Sequence, residues 1–201
     1  MDAFESLVAT ILERDGYWVR SGFKVELTKE EKREIGRPSS PRWELDIVAY
    51  KGASNELLAF ECKSYLDSPG VIYRSLVGDK YSDRYKLFND DVLRRVVFSR
   101  LKAQLVKAGS CRSRPKVRLC LAAGKIASEN DRTLLRKHFK TRGWLLWDDK
   151  VLREALERVA TSGYDNQVAA VVAKLLLRTP NRMTVVTGDH RGGQPPSAGR
   201  T

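Results

Sequence analysis

The stretch Trp43-Glu44-Leu45-Asp46-Ile47-Val48-Ala49-Tyr50, followed by Leu57-Leu58-Ala59-Phe60-Glu61-Cys62-Lys63, decides how this chain folds. Both runs are rich in apolar, β-forming residues, and Lys51-Gly52-Ala53-Ser54-Asn55 between them supplies turn chemistry. Together they predict a β-hairpin. Side chains alternate faces along a strand, so Glu61 and Lys63 share one face and Phe60 and Cys62 the other. The same alternation puts Glu44, Asp46 and Val48 together, with Leu45, Ile47 and Ala49 opposite. Three carboxylates and an ammonium therefore stand mid-strand, where a core strand carries apolar side chains. Burying charge is costly unless a partner or a metal compensates it. Asp46 and Glu61 gathered beside Lys63 suit a hard divalent cation and a negatively charged substrate.

These residues resemble the PD-(D/E)XK nuclease superfamily, whose motif is an acidic residue on one strand and (D/E)-X-K on the next. Here the motif reads Asp46, then Glu61-Cys62-Lys63, and Leu45 stands where the motif's proline would be, a substitution many members share. The family usually carries a Glu on its first helix, and Phe4-Glu5-Ser6-Leu7-Val8 fits that place. The similarity is closest to the branch that includes Mrr-like restriction enzymes, and in motif order it covers roughly the first half of the chain. A lone E-X-K is common; a Glu-bearing helix, an L-D-apolar strand and an apolar-E-C-K strand in this order are far more specific.

The resemblance implies an α/β fold with a restriction-endonuclease-like core, a central mixed β-sheet flanked by helices, and extra C-terminal helices. It implies a metal-dependent endonuclease that hydrolyses phosphodiester bonds in DNA, using Mg²⁺ with Mn²⁺ able to substitute. Asp46 would bridge the metal, Glu61 would be the second carboxylate ligand, and the backbone carbonyl of Cys62 a third. Lys63 would orient or deprotonate the attacking water and stabilise charge building on the phosphate. Glu5 would act on the metal through water or hold a second ion. For Glu5 a plain role as a helix N-terminal carboxylate, favoured by the helix dipole, stands equally open.

Composition agrees with that chemistry without dictating it. The chain has 201 residues, 42% hydrophobic and 31% charged, which suits one globular domain over 1–179 and a tail over 180–201. No apolar run approaches the roughly 20 residues of a membrane span. Asp2 and Glu5 replace the basic start of a signal peptide. Cys62, Cys111 and Cys120 form no metal-ligand spacing, so a reduced, cytoplasmic compartment is expected. A net charge of +12, from 37 basic and 25 acidic residues, favours a polyanionic partner, most naturally DNA.

Outside the hairpin, residues 3–15 place Phe4, Leu7, Val8, Ile11 and Leu12 at helical spacing. Residues 17–27 alternate as a strand, and 64–87 read as an irregular insertion. That insertion interleaves Tyr65 with Arg74, Lys80 and Arg84, which suits stacking on bases and pairing with phosphates. A loop whose tyrosines cover the core is equally open. A helix over 88–108 turns Leu93, Val96, Val97, Leu101 and Leu105 inward and carries Arg94 and Arg95. Arg112, Arg114 and Lys116 lead into a strand over 117–123. These basic residues are the candidate nucleic-acid contacts. A helix over 128–141, a short strand over 144–147 and helices over 149–160 and 165–178 follow. Two alternatives remain: a nuclease fold that only grips nucleic acid, and an assembly subunit, including a homodimer, using helices 149–178. Cys62 faces away from the charged pair with no His near in sequence, which argues against a thiol nucleophile.

Overall fold

The computed structural model describes residues 2–39, 42–78, 80–163 and 166–177. The chain runs α1 (Ala3–Arg14), β1 (Trp18–Val25), α2 (Lys29–Glu34), β2 (Trp43–Lys51), β3 (Glu56–Lys63), α3 (Tyr73–Val77), a 3-10 turn (Ser82–Tyr85), α4 (Lys86–Asn89), α5 (Asp91–Lys107), β4 (Lys116–Ala123), α6 (Glu129–Arg142), β5 (Leu145–Trp147), α7 (Asp149–Thr161) and α8 (Val168–Leu177). The tail expected over 180–201 lies outside the described residues. Among the described residues no helix is long and apolar enough to cross a membrane.

The five strands form one mixed sheet in chain order. β1 to β3 are antiparallel, with a tight turn joining β2 to β3; β4 and β5 run parallel to β3, which requires long crossovers. Helices cover both faces. On one, Val97 and Leu101 of α5 and Leu135 and Phe139 of α6 bury Leu57 and Ala59. On the other, Val8, Ile11 and Leu12 of α1 and Leu152 of α7 bury Ile47, Leu58 and Phe60. Each large side chain so buried contributes about 1.5–3 kcal/mol. α8 packs on α7 through Ala170 and Ala173 against Val159 and Ala160.

The stretch 64–87 differs from an irregular insertion. It holds short helical turns, and Val71, Leu76 and Tyr85 belong to the main core. Turns of four or five residues are too short for a 3.6-residue period to emerge from sequence. The long helix also starts later than expected, because the Asp90 side chain accepts from Leu93 N at 2.9 Å and caps it at Asp91.

The face assignment of β2 needs a correction. Leu45 packs in the α5 cluster, whereas Ile47 and Ala49 pack with α1, so the three do not share a face. Val48 sits with Leu45 rather than opposite it. The neighbouring β1 changes face at the same level, with Phe23 in the α5 cluster and Val19 against the α1 cluster. The ladder records Ser21↔Ile47 and Phe23↔Leu45 but skips Gly22 and Asp46, and Gly22 has φ +59°. Alternation assumes an unbroken pleat, and a left-handed glycine breaks it. The break falls at Asp46.

Candidate active site

The β2–β3 ladder ends at Ile47↔Phe60, one residue short of Asp46 and Glu61. Beyond that pair the strands part, and the Asp46 carboxylate takes the place of the missing ladder acceptor: Cys62 N–H donates to Asp46 Oδ2 at 2.7 Å. A strand residue sends its N–H and C=O out along the same side, so the Cys62 carbonyl also faces the β2 side. Glu61 and Lys63 share a face as alternation requires, with Lys63 Nζ 3.4 Å from Glu61 Oε2 and side chains only 20% and 15% exposed. Cys62 packs toward the α1 cluster, away from that pair.

Glu5 completes the group. Asp2 caps α1: Glu5 N–H donates to Asp2 Oδ1 at 2.8 Å, and Asp2 N–H donates to Glu5 Oε2 at 3.2 Å. Asp2-x-x-Glu5 is the sequence signature of this capping box, and Asp2 belongs to helix chemistry rather than to the (D/E)-X-K motif. The N-terminus of α1 meets the carboxyl ends of β3 and β4 at Gly124. A Cβ on Gly124 would stand 2.3 Å from the Ser64 carbonyl and 3.2 Å from the Phe4 ring. Glycine there lets α1 bring Glu5 to the acidic notch.

The electrostatics show three carboxylates against one ammonium. Burial raises the Glu61 carboxyl to about 7; Asp46 and Glu5 push it the same way, and Lys63 opposes them. Burial also raises Glu5, and Asp46 and Asp2 add to it. For Lys63, burial favours the neutral amine, but Glu61, Asp46 and Tyr65 outweigh it and hold the ammonium above its ordinary range. The Cys62 thiol is driven strongly upward by burial and by the same acids, so it is no thiolate nucleophile.

Among the described residues no group of three or more His, Cys, Asp or Glu side chains is gathered closely enough to cage a metal ion. Mg²⁺ does not need such a cage; it keeps several waters and is held by one or two carboxylates plus phosphates. The donor set here is all oxygen, and Asp46 and Glu5 add to the burial that raises the Glu61 carboxyl, a repulsion that a cation would relieve. The residues therefore fit a hard divalent ion held by Asp46, Glu61 and the Cys62 carbonyl.

The basic candidates divide sharply. Tyr65, with φ +44°, follows the motif strand directly and adds to the field on Lys63. Arg74 is exposed on α3, and Lys80 and Arg84 flank the exposed Tyr81 ring at 5.3 and 5.2 Å. Arg94 is spent on structure: it donates to the Leu87 carbonyl at 2.9 Å and lies 4.9 Å over the Trp144 ring. Arg95 pairs with Glu34, and Arg100 with Glu31 at 2.9 Å, which docks α2 on α5. Arg112, Arg114 and Lys116 do not join the site, because Lys116 pairs with Glu56 at the far end of β3. Their spacing along the sequence could not show that the crossover returns to that end.

Comparison of the chain with known protein families, curated proteins and solved structures gives no match. The site stands on its own residues.

Proposed function

We propose that the chain is a metal-dependent endonuclease that hydrolyses phosphodiester bonds in DNA, with a restriction-endonuclease-like core of the PD-(D/E)XK type. One observation carries this reading. Two antiparallel strands part where each presents a carboxylate, and the first, Asp46, is latched to the backbone of the second between Glu61 and Lys63. An ordinary sheet would close that ladder with apolar pairs.

Asp46, Glu61 and the Cys62 carbonyl would hold the cation, which when bound supplies a Lewis acid and a water of lowered pKa. The protein's own groups do the rest. The Cys62 N–H fixes the Asp46 carboxylate against β3. Lys63, held as an ammonium by its acidic neighbours, donates from Nζ to a phosphate oxygen or to the attacking water and offsets charge that grows as the P–O bond breaks. In the metal-free state it carries its proton, so charge stabilisation suits it better than proton abstraction. The excess of 37 basic over 25 acidic residues draws the polyanion in.

The test is cleavage of a panel of duplex, branched and single-stranded DNA with Mg²⁺ or Mn²⁺. Asp46→Ala and Lys63→Ala should each reduce turnover by about a hundredfold or more. Full activity in a clean Asp46→Ala preparation would sink the assignment. A second reading, an assembly subunit, rests on α8, where Val168, Leu175 and Leu176 are 79%, 78% and 77% exposed. Sizing at several concentrations tests it: a concentration-independent monomer removes it.

A further inference from the structure

At the opposite end of the sheet from Asp46 and Glu61 lies a surface that the acidic site does not use. Trp18 opens β1 and is 83% exposed, an unusual position for the largest side chain. Its partner across the ladder is Tyr50, four residues from Asp46, or about 13 Å at ~3.3 Å per residue. Here α5 has ended, and a groove of about 500 Å³ opens between its C-terminal end and the sheet. Trp18 forms one wall; Phe23, Val48, Leu57 and Leu105 form the apolar floor.

Two guanidinium groups border this floor. Arg20 lines the groove and lies 5.3 Å over the Phe23 ring. Arg112 is anchored beside it: its backbone N–H donates to Tyr50 Oη at 3.1 Å, and its guanidinium donates to the Gly52 carbonyl. Arg114 and Lys116 continue the positive charge at the same end, exposed. Glu13 lines a separate hollow with Gly16, Tyr17 and Trp18, and among the described residues no acid lines the groove itself.

We infer that this groove binds single-stranded nucleic acid, with an unpaired base stacked on Trp18 over the apolar floor and the flanking phosphates on Arg20 and Arg112. An exposed indole with an apolar floor accepts the face of any base, and planar guanidinium groups match phosphate oxygens. A duplex hides its base faces and cannot use the floor. The choice of a nucleic acid as the polyanion rests on the nuclease reading, while the groove itself is independent of the acidic residues. The enzyme would hold the nucleic acid at a second point on the sheet that carries its acidic notch, so the groove should affect KM more than kcat.

The experiment measures binding in EDTA of short labelled oligothymidylate, an abasic oligonucleotide of equal length, a duplex and thymidine monophosphate. Wild type should favour the oligothymidylate over the other three. Trp18→Ala should weaken oligothymidylate binding roughly 5- to 150-fold, the range expected for one lost base stack, and leave the abasic strand nearly unchanged. Trp18→Phe should retain most of the affinity, which separates stacking from a folding defect, and an unaltered Tm checks the fold. Wild-type affinity in Trp18→Ala, or equal binding of the abasic strand, would overturn the inference. Equal binding of the mononucleotide would replace it with a small-ligand pocket. Mg²⁺-dependent cleavage decides the nuclease reading separately: a lost Trp18 effect with cleavage intact removes only the groove. The Trp18 effect with no cleavage removes only the active site.

Discussion

Two clusters of buried charge among the described residues are built on opposite principles. Where α6 meets α7, Asp148 is fully buried and Arg132 nearly so, and every charge has a counterpart. Arg132 Nη1 lies 3.0 Å from Asp148 and 2.8 Å from Asp149, and Arg136 lies 2.7 Å from Asp148. Burial alone would raise the Asp148 carboxyl, but the Val151 N–H, Arg132 and Arg136 hold it below its ordinary value. Where β2 and β3 part, Asp46, Glu61 and Glu5 face one lysine, and Glu61 is raised to about 7. The first cluster is balanced and explained by folding. The second sets three acids against one lysine, an imbalance that the proposed cation would relieve.

That contrast can be broken by experiment. Removing one side of the balanced cluster should hurt most: Arg132→Ala takes the buried guanidinium away from both Asp148 and Asp149 and should cost about 3–5 kcal/mol in denaturant unfolding. A cost below about 1 kcal/mol would mean the network is ornamental. In the acidic cluster the sign should reverse. In EDTA above pH 7, Glu61→Gln removes a disfavoured charge and should stabilise the protein by up to roughly 3 kcal/mol; destabilisation would show that the acids are already compensated.

The pH dependence should separate the two again. Glu61 binds its proton more tightly folded than unfolded, so metal-free stability is greatest below the ordinary carboxylate value. It falls as pH rises toward and through about 7. Asp148 is shifted the other way, so its contribution is present above the ordinary value and lost only as pH drops through its lowered one. Melting wild type and Glu61→Gln in EDTA from about pH 5 to 8 should give curves that diverge with rising pH. Parallel curves would remove Glu61 from the acidic excess. Glu5→Gln should have the smallest effect, within about 1 kcal/mol, because Gln keeps the oxygen that accepts from the Asp2 N–H and only the repulsion from the neighbouring acids is relieved. Its effect on cleavage should be well below that of Asp46→Ala.

Much of this was legible in the sequence. The order of α1, the β2–β3 hairpin, α5, β4, α6 and β5 followed from periodicity, and the buried face of α5, Leu93 to Leu105, was read residue by residue. Asp46, Glu61 and Lys63 were placed together because carboxylates and an ammonium mid-strand defy a core pattern. What was hidden lay in non-local geometry. The face change at Gly22 and Asp46 requires a left-handed glycine on the neighbouring strand. The short turns of 73–89 carry too few residues to show a period. The fate of Arg94 depends on contacts with Leu87 and the distant Trp144, that of Arg112 on which end of the sheet the crossover reaches, and Trp18 looks like any strand residue until the end of α5 leaves it uncovered.

The most direct test of the acidic cluster is a calorimetric titration of Mn²⁺ or Mg²⁺ into metal-free protein near pH 7.5, wild type beside Asp46→Ala and Glu61→Gln. Wild type should bind the cation, release protons from Glu61 as it does so, and gain Tm by mass action. Both variants should lose most of that affinity. Identical isotherms for all three proteins, or no binding by wild type, would contradict the assignment of this site to a divalent cation.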